Sequence, residues 1–132
     1  MVRKSYGRDC PVARSLDILG ERWTLLIIGE LLEGEARFSE LSLRLSGIPS
    51  NLLASRLRFL EQVGLVRRAP YSRRPLRVRY QLTEAGQAVD GVIKALHEWG
   101  ITYATSGYSR GGLADRTRTA RRSPPAPESL SA

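Results

Sequence analysis

Between residues 67 and 79 the chain places six arginines (Arg67, Arg68, Arg73, Arg74, Arg77 and Arg79) and no acid. This stretch follows directly on the clearest amphipathic helical pattern of the chain. The pairing constrains the fold more than any other feature. Leu65 and Val66 open a strand, and Val78, Tyr80 and Leu82 alternate in a returning one. Between them lies a basic tip around Ser72–Leu76, too long for a two-residue turn and so expected to project as a wing. A helix beside a basic hairpin suits duplex DNA: the helix enters the major groove and the hairpin clamps the flanking backbone. Guanidinium suits phosphate because its fork donates two parallel hydrogen bonds and stays charged at any relevant pH.

The helix before the hairpin spans about residues 50–63. Leu53, Leu57 and Leu60 mark its buried face at helical spacing, and Gly64 is a good residue to end it. Ahead of it, residues 39–45 read as a short helix with Phe38, Leu41 and Leu45 on one face, after a very short strand at Arg37-Phe38. Ser46-Gly47-Ile48-Pro49 is a turn, so the two helices form a helix-turn-helix. Near the start, Cys10-Pro11-Val12 opens a helix with Asp9 as N-cap, an apolar stripe of Val12, Leu16 and Leu19, and Gly20 as its end. Residues 21–33 form a second helix, apolar on nearly every side and therefore central to the core or at a subunit interface. Thr83-Glu84-Ala85-Gly86 caps a last helix that carries Val89, Val92, Ile93, Leu96, Trp99 and Tyr103 and runs past Gly100 toward Ala104.

The fold class is mainly α with a small β-hairpin: a winged helix-turn-helix. Residues 1–9 read as a flexible basic arm and residues 10–104 as one winged-helix domain. Residues 105–132, rich in Arg, Pro, Gly and Ser, bury too little apolar surface to repay ordering and read as a disordered tail. At 132 residues one domain is the default, long enough to bury a core without disulfides or metal. The net charge of +8 predicts attraction to a polyanion without saying which. The single cysteine excludes an intrachain disulfide framework. No apolar run approaches the roughly 20 residues that span a bilayer. The basic start lacks a following apolar segment, so no secretory signal is expected and the reading is a soluble, cytoplasmic protein without membrane partners.

On the helix of residues 50–63, the side opposite Leu53, Leu57 and Leu60 holds Asn51, Ser55, Arg58 and Gln62, with Ser50 and Ala54 beside them. These are small or hydrogen-bonding groups. Asn bonds adenine in bidentate fashion, Arg does so with guanine, and an alanine methyl suits thymine. Any solvated helix face looks similar; the acid-free hairpin that follows tips the reading toward DNA. Arg56 lies to the side, placed either to reach a phosphate or to pair with an acid such as Glu40. Arg73, Arg74, Arg77 and Arg79 are the wing candidates for backbone contact. Arginines in the tail add at most nonspecific affinity, and solubility is their simpler role.

The ordered set Cys10-Pro11-Val12, Leu19 through Ile28, Arg37-Phe38-Ser39-Glu40-Leu41, Gly47 through Leu53, Arg56-Leu57, Leu60-Glu61, Gly64-Leu65-Val66, Tyr80-Gln81-Leu82-Thr83, Gly86 and Trp99-Gly100 resembles HxlR-type winged-helix transcriptional regulators, which are MarR-like. The likeness covers roughly residues 10–100. It implies a homodimer held by helices from both chain ends, with Val12, Leu16, Val92, Leu96, Trp99 and Tyr103 at the interface. It further implies two recognition helices on a pseudo-palindromic operator, with half-sites about one helical turn apart, and control of transcription, often by repression. Asn51, Ser55 and Arg58 match its recognition-helix positions and Arg77 its wing arginine. The chain departs from the pattern at Leu76, where a second proline is frequent, and at Arg79, where an acid is. Some members use a cysteine at the position of Cys10 to sense electrophiles or oxidants. Here Arg8 and Arg14 favour a thiolate and Asp9 opposes it; an idle packing thiol is the simpler role.

Nothing else in the chain carries chemistry. His97 stands without a cluster at metal spacing, and Trp23, Trp99 and Tyr103 fit core packing better than a ligand pocket. There is no phosphate-cradling glycine motif, nucleophile elbow or paired-carboxylate constellation, so neither an enzyme nor a cofactor is expected; a small-molecule effector is compatible with the sequence but unspecified. The competing reading is a basic RNA-associated or architectural protein without sequence preference.

Overall fold

The computed structural model describes residues 5–104. Six helices and one antiparallel hairpin follow in the order α1 (Pro11–Leu19), α2 (Thr24–Leu32), α3 (Phe38–Arg44), α4 (Ser50–Gln62), β1 (Val66–Arg73), β2 (Leu76–Leu82), α5 (Glu84–Gln87) and α6 (Asp90–Tyr103). The chain divides into two compact units, Met1–Ile93 and Lys94–Ala132. No residue of α6 is buried. The expected tail and the first four residues of the expected basic arm lie outside the described residues.

Helix α1 is capped by Cys10, not Asp9: the Cys10 Sγ accepts from the Ala13 N–H at 3.3 Å, and Pro11 fills a first-turn position where no N–H is needed. Asp9 pairs instead with Arg14. The arm is tied down from residue 5 onward, because the Asp17 carboxylate accepts from the Ser5 hydroxyl at 3.1 Å and the Tyr6 N–H at 2.9 Å. Of α1 only Ala13 is buried; Val12 and Leu16 are exposed.

Helix α2 starts later than the sequence pattern suggests, because Trp23 takes a left-handed φ of 79° and interrupts the chain there. Ile27, Ile28 and Leu31 then sit at the centre of the core, while Leu26 on the other side is exposed. The expected strand at Arg37-Phe38 is instead an isolated bridge at Ala36, whose N–H and carbonyl pair with Tyr80 at 3.1 and 2.7 Å. Arg37 is already the N-cap of α3, and the Glu40 carboxylate reaches back to accept from the Arg37 N–H at 2.7 Å.

Leu41 and Leu45 from the α3 region and Leu53, Leu57 and Leu60 from α4 are buried together with Ile48 from the turn between them. Helix α4 ends in a Schellman motif: Leu65 N–H bonds Leu60 O at 2.9 Å, Gly64 N–H bonds Glu61 O at 3.2 Å, and Gly64 takes the required left-handed φ of 84°. The motif turns the chain directly into β1, so the hairpin starts where the helix stops.

In the hairpin, Val66 pairs with Leu82 and Arg73 with Leu76, which leaves only Arg74-Pro75 to make the turn. The tip is therefore a two-residue connection, tighter than the spacing suggested, with a cis Arg74–Pro75 peptide. The extra residue is absorbed by a bulge between Pro70 and Ser72, at Tyr71. Val66 and Leu82 anchor the base of the hairpin in the core.

The single last helix of the sequence reading is two. Thr83 caps the short α5, its hydroxyl accepting from the Gly86 N–H at 3.2 Å and donating to the Gly64 carbonyl at 2.6 Å. Gly86 lies so close to the β1 entry that a Cβ there would stand 2.2 Å from the Leu65 carbonyl oxygen. This approach locks α5 against the root of the wing, and α6 begins anew at Asp90.

Candidate nucleic-acid interface

The outward side of α4 presents Ser50, Asn51, Arg58 and Gln62 to solvent, with Ala54 and Ser55 half-buried. They stand opposite the buried leucines because α4 is anchored along its whole length by Leu53, Leu57 and Leu60. Ala54, Leu57, Arg58, Glu61, Arg68 and Tyr80 line the shallow groove where this helix meets the hairpin. Recognition positions and wing thus flank one concavity.

Two arginines assigned to DNA from the sequence are already engaged. Arg56 is buried, its side chain 9% exposed; its Nε donates to the Arg22 carbonyl at 3.0 Å and a terminal nitrogen lies 3.4 Å from a Glu21 carboxylate oxygen. It braces α4 against the entry to α2, and its acid is Glu21 rather than Glu40. Helical spacing placed it beside the apolar face correctly but gave no sign of the partner that a different helix supplies. Arg79 is stacked over the Tyr71 ring, 4.2 Å from its centroid, with its Nε 3.8 Å from a Glu35 oxygen. It is part of the hairpin's internal bracing.

Arg73, Arg74 and Arg77 remain exposed at the tip. The hairpin is acid-free in sequence but not in space. Glu35 faces Arg79 and accepts from the Gln81 amide, whose oxygen accepts from the Arg67 Nε at 2.9 Å; Glu61 lies 4.0 Å from the Arg68 Nε. Charge is therefore balanced at the root and left cationic at the tip. Tyr71 is central to this arrangement, with the Arg79 guanidinium over its ring. The Tyr71 phenol, ahead of Glu40, holds the Arg37 guanidinium above its ordinary pKa. Only the bulge brings Tyr71 to Arg37 and Arg79, and no periodicity announces a bulge. Glu40 in turn is held below the usual carboxylate range, first by the Arg37 backbone N–H.

Cys10 is a half-buried free thiol. Val12 and Leu16 on α1 are exposed, as are Val92, Leu96 and Trp99 on α6; Tyr103 is half-buried with its ring centroid 5.4 Å from that of Trp99. His97 is exposed. Among the described residues no group of three or more His, Cys, Asp or Glu side chains is placed to hold a metal ion, and no helix is long and apolar enough to cross a membrane.

A short helix, a tight turn, a second helix with a polar outer face and a hairpin with a cationic tip define a winged helix-turn-helix. The HxlR-like helix-turn-helix family model matches residues 18–108, and the chain belongs to this family of transcriptional regulators. A Mycobacterium tuberculosis HTH-type transcriptional regulator is 50% identical over 92 residues, which is 70% of this chain and 58% of that protein; the chain thus spans little more than half the length of its mycobacterial relatives. The reduced form of the transcriptional regulator YodB from Bacillus subtilis superposes with a TM-score of 0.64 at 35% identity, over 76% of this chain and 100% of that one. The redox regulator HypR in its reduced form gives 0.68 at 32%, over 72% and 94%. A quinone-bound YodB structure also matches, with a TM-score of 0.60 at 37% identity over 69% and 97%.

Proposed function

We propose that the chain is a sequence-specific regulator of transcription that binds duplex DNA as a homodimer on a pseudo-palindromic operator and represses. The observation that carries this reading is the exposed Asn51–Arg58–Gln62 face of α4 beside a braced hairpin with Arg73, Arg74 and Arg77 at its tip. In this reading Asn51 and Arg58 contact base edges, Ser50, Ala54, Ser55 and Gln62 complete the helix surface, and the tip arginines neutralise flanking phosphates. Val12 and Leu16 of α1 are exposed apolar residues that a second copy would cover, and so, on their own helix, are Val92, Leu96 and Trp99 of α6. Steric occlusion of a promoter by such a dimer is the simplest route from binding to repression.

The test is selection of binding sites from random duplex DNA at near-physiological salt. An inverted repeat with half-sites about 10 bp apart is expected. In that setting Asn51→Ala and Arg58→Ala each cost about 1–3 kcal/mol at one base position and relax preference there. Salt-sensitive binding with no enriched sequence would instead favour the RNA-associated or architectural reading.

A second layer is supported by Cys10. It is a half-buried free thiol at the start of α1, and the solved relatives include a redox regulator and a quinone-bound form. On this reading oxidation or alkylation of Cys10 alters α1 and, through the dimer surface, the spacing of the two recognition helices. An electrophile or oxidant is then the effector.

A further inference from the structure

The wing tip carries an apolar side chain that the fold does not use. Leu76 is 63% exposed, the most exposed large apolar residue of the hairpin. It closes the turn opposite Arg73, next to Arg74-Pro75, and Arg77 follows it. By strand alternation Leu76 shares the sheet face of Val78, Tyr80 and Leu82, yet it lies beyond the core that Leu82 reaches. The exposed Arg73, Arg74 and Arg77 adjoin it in the hairpin, and Leu76 is no part of the core.

We propose that Leu76 is a minor-groove wedge: the tip enters the minor groove flanking the site read by α4, Arg73, Arg74 and Arg77 hold the phosphates on either side, and the leucine presses on the sugar and base edges of one step. The inference rests on the DNA-binding reading above, in which the hairpin is a wing, and adds to it an apolar contact by Leu76 and a deformation of the duplex. Three features support it. The tip is short, because only Arg74 and Pro75 join the two strands, so Leu76 stands at the very end of the hairpin. Apolar wedges bordered by cations are how proteins unstack a step and bend a duplex toward the major groove. Finally, the hairpin is stiffened where a wedge needs leverage. A free two-stranded hairpin is marginally stable, but this one is fastened by the Ala36–Tyr80 backbone pair and by Arg79 between Tyr71 and Glu35.

The wedge also predicts which flanks the protein prefers. Pyrimidine–purine steps unstack most readily, and the guanine amino group obstructs the minor groove. Flanks rich in such steps and poor in G·C are expected to bind more tightly, although no side chain reads them by hydrogen bonding.

The experiment uses the full chain and a duplex from site selection, labelled at both ends for energy transfer. Affinity is measured across a salt series for wild type, Leu76→Ala and Arg74→Ala. Leu76→Ala is expected to lower affinity about tenfold, as loss of a buried leucine contact predicts, to reduce the bend, and to leave the salt slope unchanged. Arg74→Ala is expected to lower the slope by about one. Inosine in place of guanine in the flanks should tighten the wild type and leave Leu76→Ala little changed. A Leu76→Ala protein that binds and bends as wild type overturns the wedge while the DNA-binding reading stands. An unaltered bend with a lowered salt slope also overturns it, since Leu76 would then act only by placing arginines. A wild-type chain that binds no duplex overturns both. Folding does not confuse the result, since Leu76 is outside the core.

Discussion

Arg56 offers a quantitative test. On the sequence it is placed either to reach a phosphate or to pair with an acid such as Glu40; in the fold it is a buried strut against Glu21 and Arg22. Replacing it with alanine removes the Nε hydrogen bond to the Arg22 carbonyl and the contact with Glu21, and leaves the Arg56 stem unfilled beside α2. A hydrogen bond with a charged donor contributes about 1.5–3 kcal/mol. Glu21 is about one-third exposed, so its ion pair adds less than about 1 kcal/mol. Lost packing of the stem adds on the order of 1 kcal/mol. Arg56→Ala is therefore expected to cost about 2.5–5 kcal/mol. With a urea slope of about 2 kcal/mol per molar, the midpoint should fall by roughly 1.2–2.5 M. Tryptophan fluorescence is a suitable probe, since Trp23 adjoins Arg22, and protein concentration must be held constant because association shifts apparent stability. Arg56→Lys keeps the charge but lacks the Nε donor and should recover only part of the loss. Arg58→Ala, on the exposed face, should leave the midpoint within about 0.5 kcal/mol of wild type. If Arg56→Ala kept its midpoint and lost affinity for all duplexes alike, Arg56 would be a phosphate ligand and the strut would be refuted.

Three further outcomes follow from the same geometry. Gly86→Ala should destabilise by about 2–3 kcal/mol or more, because the added Cβ meets the Leu65 backbone oxygen rather than a movable side chain; an unchanged denaturation midpoint would contradict the close approach. The carboxyl of Glu40 has a folded pKa below its unfolded one, so it stabilises the fold above the unfolded value and that contribution disappears as pH falls through the folded one. Glu40→Gln should thus be less stable than wild type at neutral pH, with the gap closing in acid, and a gap independent of pH across that range would count against the assignment. Cys10→Ser keeps an N-cap acceptor of a preferred type, so its stability and DNA affinity should match wild type while any response of DNA binding to diamide or quinone is lost. A retained response would move sensing away from Cys10.

Much of this protein was legible in local spacing. Leu53, Leu57 and Leu60 with Gly64 define α4 because a buried helix face and its left-handed stop are properties of a few neighbouring residues. The helix-turn-helix, the hairpin that follows and the cationic tip are read from the same kind of short-range pattern, and so are Asn51 and Arg58 on the outer face. Boundaries that depend on one capping contact were less legible. The Cys10 cap, the late start of α2 at a left-handed Trp23 and the break between α5 and α6 arise where two acceptors compete or where a distant backbone intrudes, as Leu65 does on Gly86. The partners of the arginines were not legible at all. Residues 21 and 56, and 35 and 79, are far apart in the chain, and only the folded core brings each pair together. Sequence alone determined that a basic hairpin follows a recognition-type helix. Tertiary structure decided which of its cations are spent holding the hairpin and which are left for a partner, because a charge is committed or available according to what stands within a few ångströms of it, and that distance is set by the whole chain.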